Sequence, residues 1–402
     1  MCTFEAELAL LLRIGHNYGK LGTQVLFSMG ALEHLASCKM VGLQIKGSFR
    51  LADAKVHKDV SVDIDKQRII NSPILRFVCC LTSLVDSSDF LEVKDKIVHQ
   101  IIDLVKAHQS FFDQVLREDI SEADDLTLEQ ISLVVAILSK ASILARWNDE
   151  YGFIQGLFGM MRGLFSLDIG AFSSIEPHEN HKKSELILFR LSFSLCTYLY
   201  FLVAKKALRL QVSDAPGDYH MSGGGPQPTL SLLVSLLSSV RTALERVAEE
   251  KSLLLNKIQD INELSRQEVD EIINVCKRQE CVSPSDNIRK RRYIAMVEMC
   301  RVAGNRDQLT TLLLQLAEQV LNILLIHFQE STAITKSSVT MEMVVLGSKT
   351  DSREDISFLC GKLLPILERL ELLGEDKMGQ GLKVFRRLVT SLKELTIRKL
   401  AP

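Results

Sequence analysis

Apolar residues recur along nearly the whole chain at intervals of three and four, and the recurrence begins at a corner in residues 20–43, KLGTQVLFSMGALEHLASCKMVGL. Leu21, Val25, Leu26 and Met29 predict one short helix, and Leu32, Leu35 and Ala36 a second, each with its apolar positions on one side. Gly30 stands between them, where a sharp helix-to-helix corner needs a left-handed φ or a close backbone approach. Such a corner opens an armadillo-type repeat and equally an ordinary helical hairpin, so it predicts an element and states no function.

Residues 44–71 are polar without a sustained period and predict a surface excursion. Pro73 then opens a helix carrying Leu75, Val78, Cys79, Leu81 and Leu84. Asp89 and Glu92 have capping-box spacing, and the helix after them carries one stripe of Ile97, Ile101, Leu104, Val105, His108, Phe112 and Val115. Thr127 and Gln130 repeat that spacing ahead of Ile131, Val134, Val135 and Leu138. Residues 152–165 predict a helix marked by Gly152, Gly156, Gly159 and Gly163, a spacing that lets another helix pack closely. A long apolar helix at 186–210 follows a polar connection, and residues 213–228, SDAPGDYHMSGGGPQP, have the composition of a flexible linker or loop.

From Thr229 the pattern is more regular and more charged, with Leu232, Leu233, Leu236, Leu237, Val240, Leu244 and Val247 on one helix that can extend as far as Leu264. Ser265 and Glu268 form another capping-box pair before Val269, Ile272, Ile273 and Cys276. Ser283-Pro284 reads as an N-cap and first-turn proline for a helix whose inward stripe is Tyr293, Met296, Val297 and Cys300. Leu309, Leu312, Leu313, Leu316, Val320 and Ile323 carry the next helix, and a polar loop at 330–352 follows. Phe358, Leu363, Leu364 and Leu367, then Leu382, Phe385, Val389 and Leu392, form a final pair. The pattern thus predicts about fourteen helices and no strand, paired at roughly 40-residue intervals. Stacking such pairs in series covers apolar faces that no single pair can bury. The fold class this predicts is all-α, an elongated α-solenoid of armadillo/HEAT-like repeats, with residues 1–212 and 229–402 as repeat regions on either side of 213–228.

Composition agrees with a helical scaffold. Of 402 residues 47% are hydrophobic and 24% charged, with only 21 glycines and 8 prolines, which excludes a disordered chain. A net charge of −2 argues against a polyanion binder as a whole. The nine cysteines include no CxxC pair and predict free, buried thiols in a reducing compartment. Glu5 and Glu7 precede the first apolar run, so it lacks the basic flank of a signal peptide. Arg190 interrupts the apolar run at 186–204, leaving Leu191 to Ala204 as its longest uncharged stretch, short of the roughly 20 residues a membrane span requires; a helix buried by its neighbours is expected.

Catalytic and metal chemistry find no pattern. His178 and His181 are spaced HxxH in a polar connection without a convincing third ligand, and Gly223-Gly224-Gly225 lacks the Gly-Lys-Ser/Thr that cradles phosphate. No catalytic residue, metal ligand or cofactor is expected. Arg289, Lys290, Arg291 and Arg292 form the one basic cluster, which suits an acidic partner, phosphates or a nuclear-localisation signal, or else simply the solvated side of a helix.

Four stretches taken together resemble the C-terminal part of the very large inner-ring scaffold nucleoporins of the nuclear pore complex. They are GTQVLFSMGALEHLASC at 22–38, LRFVCCLTSL at 75–84, VHQIIDLVKAHQSFFDQVLR at 98–117 and LTLEQISLVVAIL at 126–138. The resemblance implies an α-solenoid without catalytic residues, localised to the nuclear pore complex in the nuclear envelope. It would work as a scaffold whose grooves bind other nucleoporins, including flexible linker nucleoporins, in support of nucleocytoplasmic transport. It further implies a piece of a longer protein, with no small-molecule substrate, no direct nucleic acid and no transmembrane span. An armadillo/HEAT-type transport receptor or tethering adaptor outside the pore is the alternative, recognised by capture of a Ran-like GTPase. Nucleic-acid binding through Arg289 to Arg292 would instead show strongly salt-dependent affinity.

Overall fold

The structure, a computed structural model, describes residues 19–38, 71–82, 94–121, 123–145, 153–167, 169, 179–213, 227–275, 287–337, 353–373 and 382–400. Every regular element among these residues is an α-helix, so the all-α class holds. Contacts divide the chain into two compact units, Met1–Leu233 and Val234–Pro402.

The first unit opens with α1 (Gly19–Ser28) and α2 (Ala31–Ala36), joined at Gly30, whose φ of 72° is the left-handed value a corner needs. Leu26, Leu32 and Leu35 bury there, but Leu21, Val25 and Met29 face solvent. The expectation that all the apolar positions share the buried side is thereby corrected: α1 has two apolar sides, and only one meets α2. Residues 71–82 form α3; helix is already present at 71, so Pro73 does not open it. The single stripe expected from Ile97 to Val115 is carried by two helices, α4 (Lys94–Ala107) and α5 (Gln109–Leu116), broken at His108. Ile101, Val105, Phe112 and Val115 are all buried, and both segments pack on the helix that follows them at 125–145.

α6 (Asp125–Ala145) starts earlier than the Thr127–Gln130 pair suggests. Its cap is Asp124, whose carboxylate accepts the Thr127 amide at 2.9 Å and the Thr127 hydroxyl. α7 (Phe153–Ser166) and α8 (Glu179–Ala204) complete the series. α2 packs on α4, α4 on α6 and α6 on α8, while α5 packs on α7, so helices two apart in sequence lie side by side. α8 ends in a Schellman motif: the Ala207 amide reaches Leu202 O and the Lys206 amide Val203 O, both at 2.9 Å. Lys206 occupies its left-handed position at φ 57°, the only non-glycine residue with positive φ among those described.

α9 (Leu230–Gln259) begins in the first unit and continues into the second. Its first free amides are taken by backbone from across the 213–228 segment: Leu230 N donates to Gln211 O at 2.9 Å and Ser231 N to Val212 O at 3.0 Å. Residues 214–226 lie outside the described residues.

In the second unit α10 (Arg266–Val275) carries the capping box read from sequence. The Ser265 amide donates to Glu268 Oε2 at 2.8 Å, and the Glu268 amide to Ser265 Oγ at 3.3 Å. α11 (Ile288–Ser337) is one 50-residue helix where two were expected, and it runs eight residues, 330 to 337, into the polar segment expected as a loop. No proline or positive φ interrupts it, so the interval between the stripes at 293–300 and 309–323 lies within one helix. Ser283-Pro284 and the Asp89–Glu92 pair lie outside the described residues. α12 (Arg353–Glu371) and α13 (Leu382–Leu400) pack as the expected final pair, with α13 also against α11. Leu382, Phe385, Val389 and Leu392 bury as predicted, whereas Phe358 is exposed.

The helices at Asp125–Ile143, Ser184–Ala204 and Ile288–Gln329 are long and apolar enough to cross a membrane by length and composition. Arg190 therefore does not disqualify the second of them. In the fold at least half of each window is buried against protein, as expected for the 186–204 run.

Candidate functional site

The basic cluster stands on the first turn of α11, which Asn287 caps by accepting the Arg289 amide at 3.2 Å. A helical turn separates its four cations into two pairs with different surroundings. Arg289 and Lys290 are exposed. Arg291 is 8% exposed, and its guanidinium pairs with Asp270 of α10. Arg292 donates from Nη2 to Leu264 O at 2.7 Å, just ahead of the Ser265 cap. Half of the cluster is therefore spent inside the protein, holding the first turn of α11 against the start and the middle of α10.

The apolar stripe expected to lie inward from this cluster lies outward. Tyr293 is 63% and Val297 43% exposed, and Cys300 is exposed as well. The inward positions are Arg291, Ala295, Glu298, Met299 and Ala303. Small alanines serve there because α10 approaches closely, with Ala295 packing on Val269 and Ile273. Thus Arg289, Lys290, Tyr293 and Val297 form one exposed surface, cationic at its start and apolar along its length.

A second surface was only half legible in the sequence. A cleft of about 740 Å³ opens between α5, the turn at 117–121 and α7. Leu116, Ile120, Met160 and Leu167 give it an apolar floor, and Asp113, Glu118 and Asp119 stand along it. Arg117 pairs with Asp113 at 2.8 Å. The Ser121 hydroxyl and amide both donate to Asp119, holding its carboxyl below the usual range and ionised. On the α7 side, a Cβ on Gly156 would stand 2.8 Å from Leu116 Cδ1, so this glycine serves close packing as its spacing suggested. Gly159 and Gly163 instead face open space. The glycine spacing was readable beforehand; the acidic turn was not, since its residues meet α7 only through the fold.

Among the described residues, no three of His, Cys, Asp and Glu converge as metal ligands. His178 and the side chain of His181 lie outside them. Burial pushes the thiols of Cys79, Cys196 and Cys360 upward, which suits inert packing thiols; Cys300 departs from the expectation by being exposed.

No family model matches the chain. The nuclear pore complex protein NUP205 of Arabidopsis thaliana is 56% identical to it over 399 residues, covering 99% of this chain. The chain spans 21% of that protein's length. The match takes in both helical units, and it places the chain, as a part, in the family of large inner-ring scaffold nucleoporins of the nuclear pore complex.

Proposed function

We propose that this chain is a structural segment of the inner-ring scaffold of the nuclear pore complex, working in the nuclear envelope as an adaptor on which other nucleoporins assemble. The observation that carries this is the match to NUP205 along 99% of the chain. Helix packing supports it physically. In the first unit helices two apart lie side by side, which is how an armadillo/HEAT-like α-solenoid propagates, and each such step leaves a seam between neighbouring helices. A partner helix can lay apolar residues at intervals of three and four into a seam of this kind.

On this reading residues 1–212 and 229–402 are two stretches of helical repeats around the 213–228 segment, and flexible linker nucleoporins are among the partners. Nucleocytoplasmic transport of protein and mRNA depends on the scaffold so formed. The chain supports it by architecture, without catalysis, a small-molecule substrate, direct nucleic-acid contact or a membrane span. The three apolar helices then serve as core, and the exposed cations Arg289 and Lys290 as a partner contact or localisation signal.

The test is localisation and recovery. With a fluorescent tag at native expression, the protein containing this chain should decorate the nuclear rim, and purification from nuclear envelopes should recover other nucleoporins. A tagged protein spread through the cytoplasm and recovering none of them overturns the proposal. Recovery of a Ran-like GTPase in its GTP form, without nucleoporins, favours a transport receptor instead.

A further inference from the structure

α11 runs unbroken for 50 residues, about 75 Å at the helical rise, and it serves two separate cores. Near its start Ala295 joins Val269 and Ile273 in a small cluster closed by Ile261, Leu264, Ile272 and Ile294. Beyond Leu309 the helix buries Leu313, Leu316, Val320 and Leu324 and packs on α13. Between the two lies a thinly covered stretch. Residues 300, 301, 304, 305, 307 and 308 are all exposed, and Ala303 alone is buried among 300–308.

Gly304 sits in the middle of this stretch. A Cβ there would meet nothing within 4 Å, so no close approach compensates the flexibility a mid-helix glycine introduces. α9 is equally bare alongside, with no buried residue from 252 to 259. At this level two crossed ion pairs hold the helices together: Glu250 to Arg306 at 2.8 Å and Lys251 to Asp307 at 2.5 Å. Each helix offers one cation and one anion in succession, so the pairs fix the helices' relative position without apolar burial.

We propose that the α10 corner, with the ends of α9 and α11 that carry it, is a jointed element. It pivots on the rest of its unit at the level of Gly304, and the crossed pairs latch it. Bending concentrates where a helix lacks both side-chain restraint and burial. Ile288 stands about 24 Å along the helix from Gly304, so a bend of about 10° there displaces the corner by about 4 Å. The exposed surface of Arg289, Lys290, Tyr293 and Val297 rides on the moving part. Because Asp307 is more than half exposed, the latch weakens as salt rises.

Hydrogen exchange of the full chain, read by mass spectrometry, tests the joint. Amides at 300–308 and 252–259 should exchange faster than those at 289–298 and 313–328, and faster still between about 0.1 and about 1 M salt. Gly304→Ala should slow exchange at 300–308 about five-fold, corresponding to the ~1 kcal/mol by which alanine exceeds glycine in a helix interior. Arg306→Glu should accelerate exchange there, and adding Glu250→Arg should restore it. Protection rising smoothly from 289 to 328, with no minimum at 300–308, overturns the joint. So does an unchanged rate in Gly304→Ala, and insensitivity to both salt and Arg306→Glu overturns the latch.

Discussion

Lys206 is a lysine at the place where helices ordinarily end on glycine, and replacing it isolates one backbone cost. Its φ of 57° puts Cβ against the following carbonyl, a strain of roughly 1–2 kcal/mol for an L-residue. The strain persists because the Schellman pair, Ala207 N to Leu202 O and Lys206 N to Val203 O, satisfies two carbonyls at the end of α8. Lys206→Gly removes the strain. Against this, glycine has about 0.5–1 kcal/mol more unfolded-state entropy to lose, and the favourable charge at the helix C-terminus, about 0.3 kcal/mol on an exposed site, disappears. The expected net gain is about 0.5 kcal/mol, or about 1–2 °C in Tm for a unit of this size. Lys206→Val loses the same charge but adds β-branching at the strained position. The Gly-to-Val gap should therefore reach about 2 kcal/mol, roughly 4–8 °C. Thermal melts of the full chain followed at 222 nm measure both, provided the transition of the first unit is followed. Equal stability of the Gly and Val variants would refute the reasoning, because it would mean that the backbone relaxes out of the left-handed region at no cost.

Gly156→Ala should destabilise the protein by about 1–3 kcal/mol, since the new methyl meets Leu116 at 2.8 Å, whereas Gly159→Ala and Gly163→Ala, facing open space, should each stabilise it by up to about 1 kcal/mol; urea midpoints distinguish them. Arg291→Met should cost about 2 kcal/mol by leaving Asp270 without its partner, while Arg289→Ala stays within about 0.5 kcal/mol on the same measurement. The Ser265 hydroxyl and amide hold the Glu268 carboxyl below its ordinary range, so its contribution is present above the unfolded value and lost as pH falls through the folded one. Between about pH 5 and about pH 3 the wild type should therefore lose denaturant resistance more steeply than Glu268→Gln. Among the described cysteines, maleimide should label Cys300 first in the folded protein and Cys196 only after denaturation, as peptide mapping would show.

The sequence by itself determined the class of the elements and several of their ends. A period of three to four is a property of one helix, so helices such as α6, α8 and α13 are readable from it, while the same period neither separates α4 from α5 nor joins the two stripes of α11. Capping is equally local: Ser265 and Glu268 meet because they are three residues apart, whatever surrounds them. Family membership was also legible, since the order of helices at 22–138 is itself a sequence property.

Which apolar side is covered was decided by the tertiary structure. α1 has Leu26 on one side and Leu21, Val25 and Met29 on another, and α11 has Ala295 and Met299 opposite Tyr293 and Val297. Hydrophobicity alone favours the larger residues, yet a close neighbour selects the smaller ones, because burial rewards only surface that another element can reach. The same reason divides the basic cluster. Arg291 and Arg292 turn inward because Asp270 and Leu264 O, far from them in sequence, stand within reach of their guanidinium groups. Arg289 and Lys290, one turn position away, remain outside, and only the packing of α10 against α11 makes that distinction.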